Sequence, residues 1–109
     1  MTTLSEKSCR ACISATRPLT RVEFEPLAAQ LSNWQVLEDH TLRRSIKTKN
    51  FAKAPEHANL VGAIAEAEGH HPDLLVRWGA LRIDIWTHKV DGLTEADFVL
   101  AAKIDAIIP

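Results

Sequence analysis

The chain predicts an α+β fold: a four-stranded antiparallel sheet with three helices packed on one face, in the order α-β-β-α-β-β-α. Three observations carry this expectation. Apolar residues recur at helical spacing in three separate stretches, the first and last opened by a capping box. Between those stretches lie two pairs of short segments with period-two alternation, each pair joined by turn-forming residues, so that every pair can be antiparallel. The 109 residues hold one domain, enough to bury roughly two thirds of the unfolded surface around a single core.

Residues 1–18 read as a flexible N-terminal tail and residues 19–109 as the domain. "MTTLSEKSCRACISATRPLT" lacks the continuous apolar centre of a secretory signal. No apolar run reaches bilayer-spanning length, which leaves the cytoplasm as the expected compartment. Cys9 and Cys12 form a C-x-x-C with no strand before it, unlike a redox pair that opens a helix after a strand. Zinc would need two further ligands, so the pair reads as two reduced thiols.

In "LTRVEFEPLAAQL", Thr20 and Glu23 make the capping box, and Val22, Leu27 and Leu31 with Ala28 give a helical stripe. Pro26 removes the amide that would bond back to residue 22, so the helix either restarts with Glu25 as cap or is distorted there. "NWQVLED" and "TLRRSIKT" alternate on either side of Asp39-His40, predicting a hairpin. Asn50 can cap a second helix ending near Glu68, with Phe51, Ala54, Ala58, Val61, Ile64 and Ala65 at helical spacing and Gly69 as its stop. "DLLVRW" and "LRIDIWT" flank Gly79-Ala80, with Leu81, Ile83 and Ile85 pointing one way and Arg82, Asp84 and Trp86 the other. Thr94 opens the last helix with Asp97 reaching back to it, and Phe98, Ala101, Ile104 and Ile108 share a face. Trp34 and Trp78 are expected in the core.

Charge narrows the function classes. With 13 basic against 14 acidic residues, the chain lacks the basic surface that phosphate backbones demand, and direct nucleic-acid or membrane binding is not expected. Arg43, Arg44, Lys47 and Lys49 read as one solvated strand face.

The chemistry concentrates in "AEAEGHHPDLLVRWGALRIDIWTHK", which holds three of the five histidines. Imidazole gives and takes protons near neutral pH. His70 and His71 follow a helix end, where exposed carbonyls concentrate negative partial charge, and Glu66 lies one turn earlier. Both features suit a ring that donates a proton. Pro72 stiffens the corner by holding His71 extended. His88, past the final strand, completes an acid/base pair with a third, orienting imidazole if that hairpin packs beside the helix end. Two other readings fit the same spacing: capping or surface histidines, and a metal-binding module drawing on Cys9, Cys12 and histidines. Against the metal, adjacent residues in extended chain point in opposite directions, and no H-x-x-x-H or H-E-x-x-H is present. His40, in a predicted turn, and His57, on a helix exterior, are expected to face solvent.

Glu66, His70, His71, Pro72, Trp78, His88 and Asp97 together resemble the signature of the pterin-4a-carbinolamine dehydratases, and "THKVDGLTEADFVLAAKID" resembles the family's Thr-His, Gly-Leu-Thr and closing helix. The likeness covers about residues 20 to 108 and is most specific from 65 to 105. Four positions depart from the family: Gly69 stands where an aspartate or asparagine is usual, Ile46 and Thr48 where aromatics are common, and Trp86 where the residue is usually smaller.

The resemblance implies a hydro-lyase that removes water from a 4a-hydroxytetrahydropterin, giving the quinonoid dihydropterin, with pterin as substrate and neither metal nor redox cofactor. It implies His70 and His88 as the catalytic pair, His71 as the pterin-orienting residue, and Glu66, Gly69, Trp86 and Thr87 as lining. Asp97 belongs to the signature, but its capping role accounts for it without catalysis. The resemblance further implies a homodimer or homotetramer and a functional link to an aromatic amino acid hydroxylase, whose used pterin is the substrate. Family members are also known as dimerisation cofactors of a hepatocyte nuclear factor, so a non-catalytic interaction protein of the same fold is the alternative.

Overall fold

The computed structural model describes residues 4–7 and 16–109; Cys9 and Cys12 lie outside the described residues. Its elements are α1 (Arg21–Ala28), β1 (Gln35–Leu37), β2 (Thr41–Lys47), α2 (Lys53–Glu68), β3 (Asp73–Arg77), β4 (Ala80–Ile85) and α3 (Glu95–Ile107), with short 3-10 turns at Leu4–Glu6 and His88–Val90. The strands lie in the order β1-β2-β4-β3 and every pair is antiparallel. The predicted class, element order and helix-on-sheet packing are those observed.

The sheet offers the helices one apolar face, made by Leu42 and Ile46 of β2 and Leu81, Ile83 and Ile85 of β4. Alternation along each strand puts these side chains on the same side. α3 lies in the middle of the packing and is buried nearly all round: Ala96, Phe98, Val99, Leu100, Ala101 and Ile104 are all enclosed. α1 adds Phe24, whose ring stacks on Phe98 at 6.1 Å, and α2 adds Ala54, Val61 and Ala65. Leu4, from the stretch read as tail, is itself buried in this core, and Lys7 pairs with Glu95 at 2.7 Å.

Several local expectations shift. The stripe on α1 runs Phe24, Leu27 and Ala28 and is continued by Leu31 just past the helix end, while Val22 is 81% exposed. The spacing i, i+3, i+4, i+7 fits when counted from Phe24 and fails from Val22. Pro26 sits inside one continuous α1; the carbonyl it leaves unpaired belongs to Val22, on the solvent side. The second hairpin turns at Trp78-Gly79, one residue earlier than expected, and this throws Trp78 past the end of the sheet. Trp78 is therefore 75% exposed and not a core residue. Trp34 does pack against the core and donates its indole N–H to Asp105 at 3.0 Å. Arg44 is buried, not solvated, and meets the same Asp105 at 2.5 Å. Phe51 remains exposed because α2 starts only at Lys53, whose amide is capped by Asn50 Oδ1 at 3.0 Å.

Candidate active site

Strand register builds the site. Asp73 at the start of β3 pairs with Asp84 near the end of β4. The residues just before β3 therefore lie beside those just after β4, and the double-histidine corner meets the Trp86-Thr87-His88 segment although 15 or more residues separate them in sequence. A cavity of about 270 Å³ opens at this junction, lined by Gly69, His70, His71, Trp86, Thr87, His88 and Lys89.

Each approach to the cavity has a local cause. α2 ends at Gly69, whose φ of 67° and ψ of 28° are left-handed, the conformation glycine adopts without a Cβ penalty. The reversal turns the chain off the helix and presents His70 inward. After β4 the chain leaves the sheet, and Thr87 pairs with Gly92 across a tight loop, the Thr87 amide donating to the Gly92 carbonyl at 2.8 Å. Gly92 is required here for closeness: a Cβ would stand 2.6 Å from Pro18 Cβ. Within that loop His88–Val90 forms the 3-10 turn that carries the third imidazole.

The electrostatic centre of the site is Asp97, which has no solvent exposure. Its Oδ2 accepts the Thr94 amide at 2.8 Å and the Thr87 hydroxyl at 2.8 Å, and its Oδ1 lies 2.6 Å from His70 Nε2. The Thr87 hydroxyl has one proton, given to Asp97, so the Thr94 hydroxyl, 2.9 Å away, is the donor to Thr87. A carboxylate with these neighbours accepts only. His70 therefore carries its proton on Nε2, toward Asp97, which leaves Nδ1 as the nitrogen free to exchange a proton. The expectation that capping alone accounts for Asp97 is thus incomplete: the same carboxylate that caps α3 also orients His70.

Glu66 does not face His70. Its Oε1 lies 2.9 Å from His71 Nε2, on the outer side of the corner, where both side chains are largely exposed. Adjacent residues diverge here, so that His70 turns to the core carboxylate and His71 to the surface one. Trp86 and His88 stack, with ring centroids 4.4 Å apart and planes tilted by 31°. Seen from sequence alone, His40 faces solvent; in the structure it is half-buried, with its ring 5.6 Å from that of Trp86 and both nitrogens bonded. Its partner Asp91 lies 51 residues away, and no local pattern signals such a contact. His57 is half-buried on α2 and not fully solvent-facing. Among the described residues no three His, Cys, Asp or Glu side chains gather around one possible metal position, and no helix is long and apolar enough to cross a membrane.

Three imidazoles thus line one small cavity on an α+β scaffold, one of them backed by a buried carboxylate. The chain belongs to the pterin 4 alpha carbinolamine dehydratase family, whose model matches residues 17–107. It is 48% identical over 107 residues to a protein of Rubrobacter xylanophilus, covering 98% of this chain and 100% of that one. A Rickettsia canadensis protein is 50% identical over 109 residues, covering 99% and 100%. Both are provisionally named pterin-4-alpha-carbinolamine dehydratase. A solved structure from Brucella melitensis, described as a transcriptional coactivator/pterin dehydratase, superposes with a TM-score of 0.77 at 29% identity, over 85% of this chain and all of that one.

Proposed function

We propose that the protein is a 4a-hydroxytetrahydropterin dehydratase that uses His70 and His88 to move the two protons of the reaction. One imidazolium delivers a proton to the 4a-hydroxyl, which departs as water. The other imidazole takes the proton from ring N5, and the freed electron pair forms the C4a=N5 double bond of the quinonoid dihydropterin. The balance is one water lost, with no change of oxidation state. The observation that carries this reading is the opening of His70, His71 and His88 onto one cavity, with His70 Nε2 committed to Asp97.

His71, steadied by Glu66, binds and orients the pterin. Gly69 and Trp86 line its seat, and Thr87 contributes through its place in the wall while its hydroxyl holds Asp97. The substrate is the product of an aromatic amino acid hydroxylase, and the protein works in the cytoplasm as a homodimer or homotetramer, a state that light scattering would measure. The test of the activity is direct: carbinolamine generated by such a hydroxylase decays faster with the purified protein than in buffer, and equal rates overturn the reading.

A second reading, a dimerisation or interaction protein, is favoured by the coactivator half of the Brucella description. A stable partner recovered together with no dehydratase rate would establish it over the first.

A further inference from the structure

His40 lies outside the cavity and has no part in the proposed proton transfers, yet both its ring nitrogens are hydrogen-bonded and its ring lies near that of Trp86. The β1–β2 turn puts two non-glycine residues, Glu38 and Asp39, at φ 53° and 55°, and closes with the His40 amide donating to the Leu37 carbonyl at 2.9 Å. Arg21 of α1 anchors this turn through Asp39 at 2.9 Å. Nδ1 of His40 then sits 2.7 Å from Thr41 Oγ1, and Nε2 sits 2.8 Å from Asp91 Oδ1.

From that position His40 reaches His88 by two routes. Its ring lies against Trp86, and the indole in turn lies against the His88 ring. Asp91, which the imidazole bonds, is the left-handed residue (φ 51°) closing the 3-10 turn, and its amide donates to the His88 carbonyl at 3.2 Å. One route fixes the face of the His88 ring and the other fixes the backbone beneath it. His88 is itself exposed, so the rotamer freedom of its side chain must be restrained by such neighbours.

We infer that His40 is a positioning residue for His88, holding the exposed imidazole at the cavity through Trp86 and Asp91. The catalytic consequence rests on the proposed dehydratase reaction; the positioning itself does not. The experiment compares wild type with His40→Ala and with His40→Phe, which retains a ring on Trp86 and loses both hydrogen bonds. Two readouts are taken: the imidazole proton resonances of His88 and His70, and kcat and KM for carbinolamine. In His40→Ala the His88 resonances lose the ring-current displacement caused by Trp86, those of His70 stay in place, and kcat falls about tenfold or more with KM within about twofold. His40→Phe shows a smaller change of both kinds, and it carries the comparison should His40→Ala fold poorly. Unmoved His88 resonances in both folded variants would overturn the inference, whatever the rate. Shifted His88 resonances in a protein with no dehydratase rate would sustain it and overturn the reaction instead.

Discussion

His70 stands on Asp97, a carboxylate with no solvent exposure at the first turn of the most buried helix, whereas His88 stands on Trp86 at the rim of a surface loop. The first support is a charge-assisted hydrogen bond in a low-dielectric setting, directional and tied to the core. The second is a stack of aromatic faces, tolerant in angle and partly wet. Two imidazoles that open onto one cavity thus draw on different physics.

The sharpest way to break this contrast is at Asp97. Asp97→Ala strands the Thr94 amide, the Thr87 hydroxyl and the His70 ring N–H together, and we expect a loss of about 3 kcal/mol of stability, read by denaturant melts, with loss of turnover. Asp97→Asn retains the shape and an acceptor, so it restores part of the stability while leaving activity low. Next come the imidazoles. His70→Ala and His88→Ala each lower kcat by about 100-fold or more. They differ in stability, however: removing His70 leaves a buried Asp97 oxygen short of a donor, at about 1–3 kcal/mol, while removing the exposed His88 shifts the melt little. Equal stability losses in the two variants would contradict the contrast.

A smaller effect is expected at the corner between the two supports. Gly69→Ala meets no atom within 4 Å, so its whole cost is the left-handed backbone, about 1 kcal/mol, again read by melts. The smallest lies far from the site, at the start of α1. There the Arg17 guanidinium, and after it the Thr20 amide, hold the Glu23 carboxyl at about 2, below its ordinary 4.5. A carboxyl depressed by folding contributes stability that is complete above 4.5 and is lost as pH falls toward 2. Glu23→Gln should lower stability slightly throughout the region above 4.5, flatten the acid limb over that window and converge on wild type near pH 2, read by melts across pH, with NMR titration of Glu23 in the wild type checking its depressed value.

The parts of the molecule legible in sequence are those governed by local rules. The Thr94 and Thr20 caps, the Gly69 stop and the Leu81-Ile83-Ile85 face all follow from neighbours within one turn or one strand, and all are present. The site residues brought to the cavity were legible because their types and spacing resemble a family signature. What stayed hidden required knowledge of partners far along the chain. His40 on Asp91, Arg44 on Asp105 and the second use of Asp97 by His70 span 51, 61 and 27 residues respectively. Trp78 failed for another reason: a turn displaced by one residue sends a large apolar ring past the sheet, and period-two patterning cannot fix where a two-residue turn begins.

One consequence follows from the double duty of Asp97. A descendant of this chain that lived on as a scaffold could discard the exposed His88 with little loss of stability and His70 only at about 1–3 kcal/mol, but it would have to keep the aspartate or lose the start of its central helix. In such relatives the acidic residue would outlast both imidazoles, like a keystone left in a disused arch.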